Sequence, residues 1–169
     1  MRGRIIKLAA AAALCCHAGA CASLTDEDIS AEMAGGISDT SSFGSLPETI
    51  WLEKAKQNYR DGNFGLAERF YRQSIEEQPR NVEAWLGLAA SYDRLKRFDL
   101  ADKAYDAVIK LVGHTATVLN NLAYHEMLKG NFELARRHLQ AASQAGPGNA
   151  YIKNNMQLLM EFEAKAGRV

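Results

Sequence analysis

The chain repeats itself with a step of 34 residues. Trp51 and Trp85 are one step apart, as are Phe64, Phe98 and Phe132. Two alanine series, Ala55, Ala89, Ala123 and Ala67, Ala101, Ala135, keep the same interval. So do Tyr71, Tyr105 and Leu139, while Pro79, Gly113 and Pro147 close successive units. Large and small residues at fixed offsets over this period define a helix-turn-helix solenoid, in which each unit buries its apolar face against the next. The expected architecture is therefore all-α: three helix pairs over 47–149 (about 48–81, 82–115 and 116–149) and a capping helix with a tail over 150–169.

Helical periodicity pairs 47–60 with 64–77, 82–95 with 98–111, and 116–128 with 132–145, with a seventh helix at about 150–165. Pro47 suits a first helical turn, where its missing amide is not needed. Gly62 and Gly130 fall in the turns inside the first and third pairs, where a left-handed residue commonly ends a helix. Asn63 and Asn131 follow as expected N-caps. The middle pair carries Lys96-Arg97 instead, so Lys96 is expected to adopt a conformation that disfavours a Cβ. The two alanine series mark the places where paired helices cross closely. The phenylalanines are expected to wedge between helices, and Tyr71 and Tyr105 to close each unit. On the seventh helix, Ile152, Met156, Leu159 and Met160 form the expected apolar side.

The first 46 residues have no such period. Arg2, Arg4 and Lys7 precede a nine-residue apolar run, Leu8–Cys16, and then the small residues Ala18-Gly19-Ala20-Cys21-Ala22. This is the layout of a secretory signal peptide over 1–20, too short to cross a membrane as a helix. All three cysteines lie here, so the repeat region has neither a disulfide framework nor a thiolate metal site. Two processing routes fit: lipidation of Cys21, or ordinary cleavage after Ala20 or Ala22, since both leave an A-x-A pattern. Loss of the signal removes three of the 20 basic residues and leaves 17 against 20 acidic ones. That mild balance gives no footprint for nucleic acid. Residues 21–46, acidic and rich in Ser and Gly, read as a flexible linker.

With these residues in place, the chain resembles the tetratricopeptide repeat (TPR) family. Trp51 and Trp85 open two units, and Leu119 replaces the tryptophan in the third. Gly62-Asn63-Phe64 and Gly130-Asn131-Phe132 match the mid-repeat turn, and Pro79 and Pro147 match the closing proline, with Gly113 as the departure. The resemblance covers about 48–149 and implies a right-handed superhelix that binds other proteins. A finer resemblance, to the TadD group of TPR lipoproteins in Tad/Flp pilus assembly, is carried by four stretches. They are Tyr92-Asp93-Arg94-Leu95, Phe98-Asp99-Leu100-Ala101-Asp102 with Ala104-Tyr105, Leu119-Asn120-Asn121-Leu122-Ala123-Tyr124, and Asn154-Asn155-Met156-Gln157-Leu158-Leu159. Ala18-Gly19-Ala20-Cys21 resembles a bacterial lipobox, departing at Ala18, where leucine is usual. These resemblances imply a lipidated protein of the cell envelope, facing the periplasm from the outer membrane. The soluble periplasmic alternative stays open, as do roles in other envelope processes.

In such arrays the first helix of each pair lines a concave groove. Helical spacing places Leu52, Lys56 and Tyr59 there, then Leu86, Ala90 and Asp93, then Asn120, Tyr124 and Met127, with Asn154 and Leu158 on the cap. Such a mixture suits an extended peptide or a partner helix. Leu52 and Leu86 equally suit the core between repeats. Asn121 and Asn155, one step apart, are expected to join helices through hydrogen bonds. Some TPR adaptors clamp a C-terminal carboxylate with Lys, Arg and Asn; Leu52, Gly87, Thr117 and Asn121 stand at most of those places, which argues against a clamp here. Catalytic chemistry has no anchor. His125-Glu126 begins like a zinc-protease helix, but Lys129 stands where the second histidine belongs. His114 and His138 lack ligand-spaced partners, and no phosphate loop occurs. The expectation is a non-catalytic adaptor with a protein partner, without metal, cofactor, nucleic acid or small-molecule substrate.

Overall fold

The computed structural model describes residues 49–167, which form seven helices. These are α1 Ile50–Arg60, α2 Phe64–Glu77, α3 Val82–Arg94, α4 Phe98–Val112, α5 Ala116–Leu128, α6 Phe132–Ala145 and α7 Ala150–Ala166. The segments expected to be a signal peptide (1–20) and a linker (21–46), with Cys21 and Pro47, lie outside the described residues. The first helix begins at Ile50, three residues after Pro47, because the Thr49 hydroxyl accepts from the Leu52 amide at 3.1 Å and caps it there.

Each pair is a hairpin, α1 with α2, α3 with α4 and α5 with α6, and each hairpin stacks on the next through α2–α3, α4–α5 and α6–α7. The first helices also touch along one side, α1 with α3, α3 with α5 and α5 with α7. All six crossing alanines are fully enclosed, as expected where backbones approach within one methyl group. Tyr71, Tyr105 and Leu139 are buried, whereas Phe64, Phe98 and Phe132 are only half-buried at the hairpin ends. Trp51 stacks on Phe70 and donates to Glu77, and Trp85 donates to the Pro79 carbonyl. Both tryptophans thus hold the closing segment of the first hairpin, Trp51 from within it and Trp85 from the next.

The three turns share one geometry. Gly62, Lys96 and Gly130 have φ of 76°, 56° and 80°. In each, the following amide reaches back five residues, Asn63 to Asn58, Arg97 to Tyr92 and Asn131 to Glu126, the longer bond of a Schellman motif. Lys96 alone does this with a Cβ. Asn63 and Asn131 make no side-chain cap bond, contrary to expectation, and Asn131 donates instead to Glu126 at 2.6 Å. The asparagine caps stand one loop away. Asn81 and Asn149 cap α3 and α7, and Thr115 caps α5.

The apolar interior divides in two. One cluster runs from Leu52 to Val118 and Leu122, the other from Leu119 and Ala123 to Phe162. The division falls across α5. On α7, Ile152, Leu159 and Phe162 are buried and Met156 is half-buried, but Met160 is exposed. Phe162, three residues on from Leu159, takes the inward place expected for Met160.

Candidate partner-binding face and its buried ionic joint

The face formed by α1, α3, α5 and α7 carries the residues that spacing assigns to a groove. Leu52, Leu86, Asp93, Asn120, Tyr124 and Met127 on it are buried; Lys56, Tyr59, Ala90 and Leu158 are half-buried, and Asn154 is exposed. The reason is close packing. Successive first helices touch one another on this side, so residues on its inner turns seal the seam between repeats. The Lys56 ammonium crosses that seam to Glu83 at 3.2 Å. Arg94 lies over the Phe64 ring at 4.5 Å. Burial raises the phenols of Tyr59, to about 12, and of Tyr124, and both feel the charges of Arg94 and Asp93. Tyr59 of α1, Asp93 and Arg94 of α3 and Tyr124 of α5 therefore lie near one another along this seam.

Asparagines tie the cap to the array. Asn155 donates from Nδ2 to Asn120 Oδ1 at 3.0 Å, both residues buried. The bond joins α5 to α7, across units rather than within a pair, and engages an amide that spacing alone offers to a partner. Leu52, Gly87, Thr117 and Asn121, at the places of a carboxylate clamp, are all buried.

A buried polar assembly lies beneath this face, where the apolar interior divides. His125 is completely enclosed. Its Nδ1 is 2.5 Å from Asp93 Oδ1 on α3, and its Nε2 is 2.9 Å from Asp102 Oδ1 on α4. The Tyr105 hydroxyl donates to the other Asp93 oxygen at 3.0 Å, and the rings of Phe98 and Tyr105 pack against the imidazole. Asp102, His125 and Glu126 each place one polar atom within 4.8 Å of the others, close enough to share a cation. The Lys129 ammonium fills that role, 3.3 Å from Asp102 and 3.4 Å from Glu126. The lysine that interrupts the zinc-protease pattern in the sequence thus completes a salt-bridge network.

Burial works against charge on His125, but the hydrogen bond and charge of Asp93 and the hydrogen bond of Asp102 outweigh it, and the imidazole pKa rises above 6.5. Burial raises Asp93 above its ordinary 3.8, although His125 and Tyr105 both stabilise its carboxylate. Sequence spacing missed this assembly because its members lie 23 and 32 residues apart on three helices. The available signal was Asp93 itself, an acid at a groove position of a packed first helix.

Hairpins stacked at a constant step, with their first helices aligned along one side, define an α-helical repeat scaffold. Two tetratricopeptide-repeat models match the chain, over residues 59–117 and 91–150, together more than half of it. The chain belongs to the tetratricopeptide-repeat family. No curated protein matches it at a significant level. Among solved structures it is similar to the first TPR domain of human RPAP3 (TM-score 0.61, 18% identity, covering 71% of this chain and 95% of that one). It is also similar to the Arabidopsis OM64 TPR domain (0.58, 17%, 66% and 93%). A third is the first TPR of Spaghetti (RPAP3) bound to the HSP90 peptide SRMEEVD (0.58, 18%, 68% and 91%). At these identities the likeness is one of fold.

Proposed function

We propose that this chain is a non-catalytic scaffold that holds a protein partner on the face formed by α1, α3, α5 and α7, within the bacterial envelope. One observation carries the reading: these helices lie side by side, so that Lys56, Tyr59, Ala90, Asn154 and Leu158 stay partly accessible along one continuous surface. A similar domain, the first TPR of Spaghetti, is bound to an HSP90 peptide. The buried apolar and amide residues at the clamp positions favour a different peptide chemistry here: a short apolar or amide-rich segment rather than a free acidic C-terminus.

The envelope assignment rests on the segment before the repeats. A basic n-region, a short apolar run and the Cys21 context support export and lipid attachment, and the linker would let the repeats stand clear of the membrane. Together with the likeness of Tyr92–Leu95, Leu119–Tyr124 and Asn154–Leu159 to the TadD group, this supports a role in Tad/Flp pilus assembly from the outer membrane. The A-x-A patterns ending at Ala20 and Ala22 favour a second reading, a soluble periplasmic adaptor of another envelope process.

The test is made in the native bacterium. Intact mass of the mature protein is expected to show acyl chains on Cys21, Cys21→Ser to release the protein from the membrane fraction, and gene deletion to abolish piliation. Retention of Cys21→Ser in the membrane together with normal piliation in the deletion strain would contradict the proposal.

A further inference from the structure

Where the apolar interior divides, the contact among α3, α4 and α5 is ionic, and one ring stands at its centre. A neutral imidazole carries a single N–H and can donate to one carboxylate only. His125 meets a carboxylate oxygen at both nitrogens, 2.5 Å from Asp93 and 2.9 Å from Asp102. The ring is fully enclosed, and a neutral form would leave one nitrogen lone pair facing a carboxylate oxygen with no N–H between them. We infer that His125 is a protonation-dependent latch between the second and third repeats, closed while the imidazolium bridges Asp93 and Asp102 and opened by its loss of a proton.

The surrounding charges decide how the latch fails. Asp93 faces the ring from α3; Asp102 and the Tyr105 hydroxyl from α4; Glu126 and Lys129 from α5 itself. His138 on α6 is near enough for its charge to interact with that of His125. Once His125 is neutral, Lys129 still holds Asp102 and Glu126 together. The one N–H of the neutral ring stays on Nδ1 toward the enclosed Asp93, so the contact given up is Nε2 with the half-exposed Asp102 on α4. Opening is therefore directed at the contact of α4 with α5, by which the second hairpin stacks on the third.

The direction of the pH effect follows from the raised pKa of His125. Stability from the latch is complete below the unfolded value near 6.5 and is lost as pH rises through the folded one. Asp93, raised by burial, carries the same sign. This joint is a property of the repeats themselves and holds whichever partner the groove takes.

The full chain, labelled with nitrogen-15 on histidine, tests it. The expected result is that both His125 ring nitrogens give imidazolium shifts at neutral pH and titrate above the ordinary 6.5. Melting should fall as pH rises from about 6 to about 9. Amide protection, corrected for intrinsic exchange, should fall in α5–α7 before α1–α4. Asp102 is half-exposed on its side chain, so Asp102→Asn is a variant that keeps the fold. It should lower the His125 titration and move the melting loss to lower pH. A His125 that titrates at or below 6.5, or melting profiles that are flat or unchanged by Asp102→Asn, would overturn the inference.

Discussion

The Tyr71 ring occupies the space that a Cβ on Gly87 would need: the nearest ring atom would lie 2.2 Å away. Tyr71 closes the first hairpin against α3, and it can lie that close only because α3 offers bare backbone there. The ring is itself buried and cannot swing clear. Gly87→Ala should therefore overpack this seam and destabilise the protein by about 1–3 kcal/mol, despite the better helix propensity of alanine. Thermal or urea unfolding checks this; a stabilised variant would mean the seam yields freely.

Lys96 is the only non-glycine residue with positive φ among those described, and it stands where the other two hairpins have Gly62 and Gly130. The left-handed conformation costs a residue with a Cβ about 1–2 kcal/mol. Glycine also gains freedom in the unfolded chain, which offsets about 0.4–1 kcal/mol of the relief. Lys96→Gly should thus raise the melting temperature by about 1–4 °C. A lowered value would show that contacts of the lysine side chain outweigh its backbone strain.

Asn120 and Asn155 form the polar tie between α5 and the cap. Asn155→Leu should cost about 1–3 kcal/mol, because it leaves the buried Asn120 oxygen without that donor. The double variant Asn120→Leu/Asn155→Leu should cost less than the two single changes added together, since it removes both polar ends. A double-mutant cycle from chemical unfolding gives the coupling directly, and strict additivity would show that the tie contributes nothing.

Periodicity reached some of these features and not others for identifiable reasons. The crossing alanines and the hairpin turns are local, so a step of 34 places them, including the strained Lys96. The caps were equally within reach: Asn81, Thr115 and Asn149 keep the step, whereas Asn63 and Asn131 attracted attention only by following a glycine. Burial of Leu86, Asn120 and Met127 was out of reach, because it depends on how tightly the first helices close on one another. The His125 assembly was hidden for a related reason. Asp93 and Asp102 sit on different helices, and only the stacking of the second hairpin on the third brings both carboxylates to one ring.

The structure also changes where a partner should be sought. Leu86 and Tyr124 are enclosed, so they make poor probes of the groove, while Tyr59 and Leu158 remain partly accessible near its two ends. Replacing Lys56 by glutamate should place like charges across its contact with Glu83 and weaken partner capture. The intrinsic stability change should stay within about 1 kcal/mol, because the pair is partly solvated. Equal capture by wild type and variant would remove this edge of the face from the binding surface.

The central claim, that the shared face of α1, α3, α5 and α7 holds the partner, is tested most directly by in-cell photocrosslinking at Tyr59 and Leu158, with the exposed Leu66 on α2 as the outward control. The account predicts that Tyr59 and Leu158 give one common adduct, with a component of the pilus assembly machinery, and that Leu66 gives none. Adducts from Leu66 with none from Tyr59 or Leu158 would place the partner on the other side of the array and contradict it.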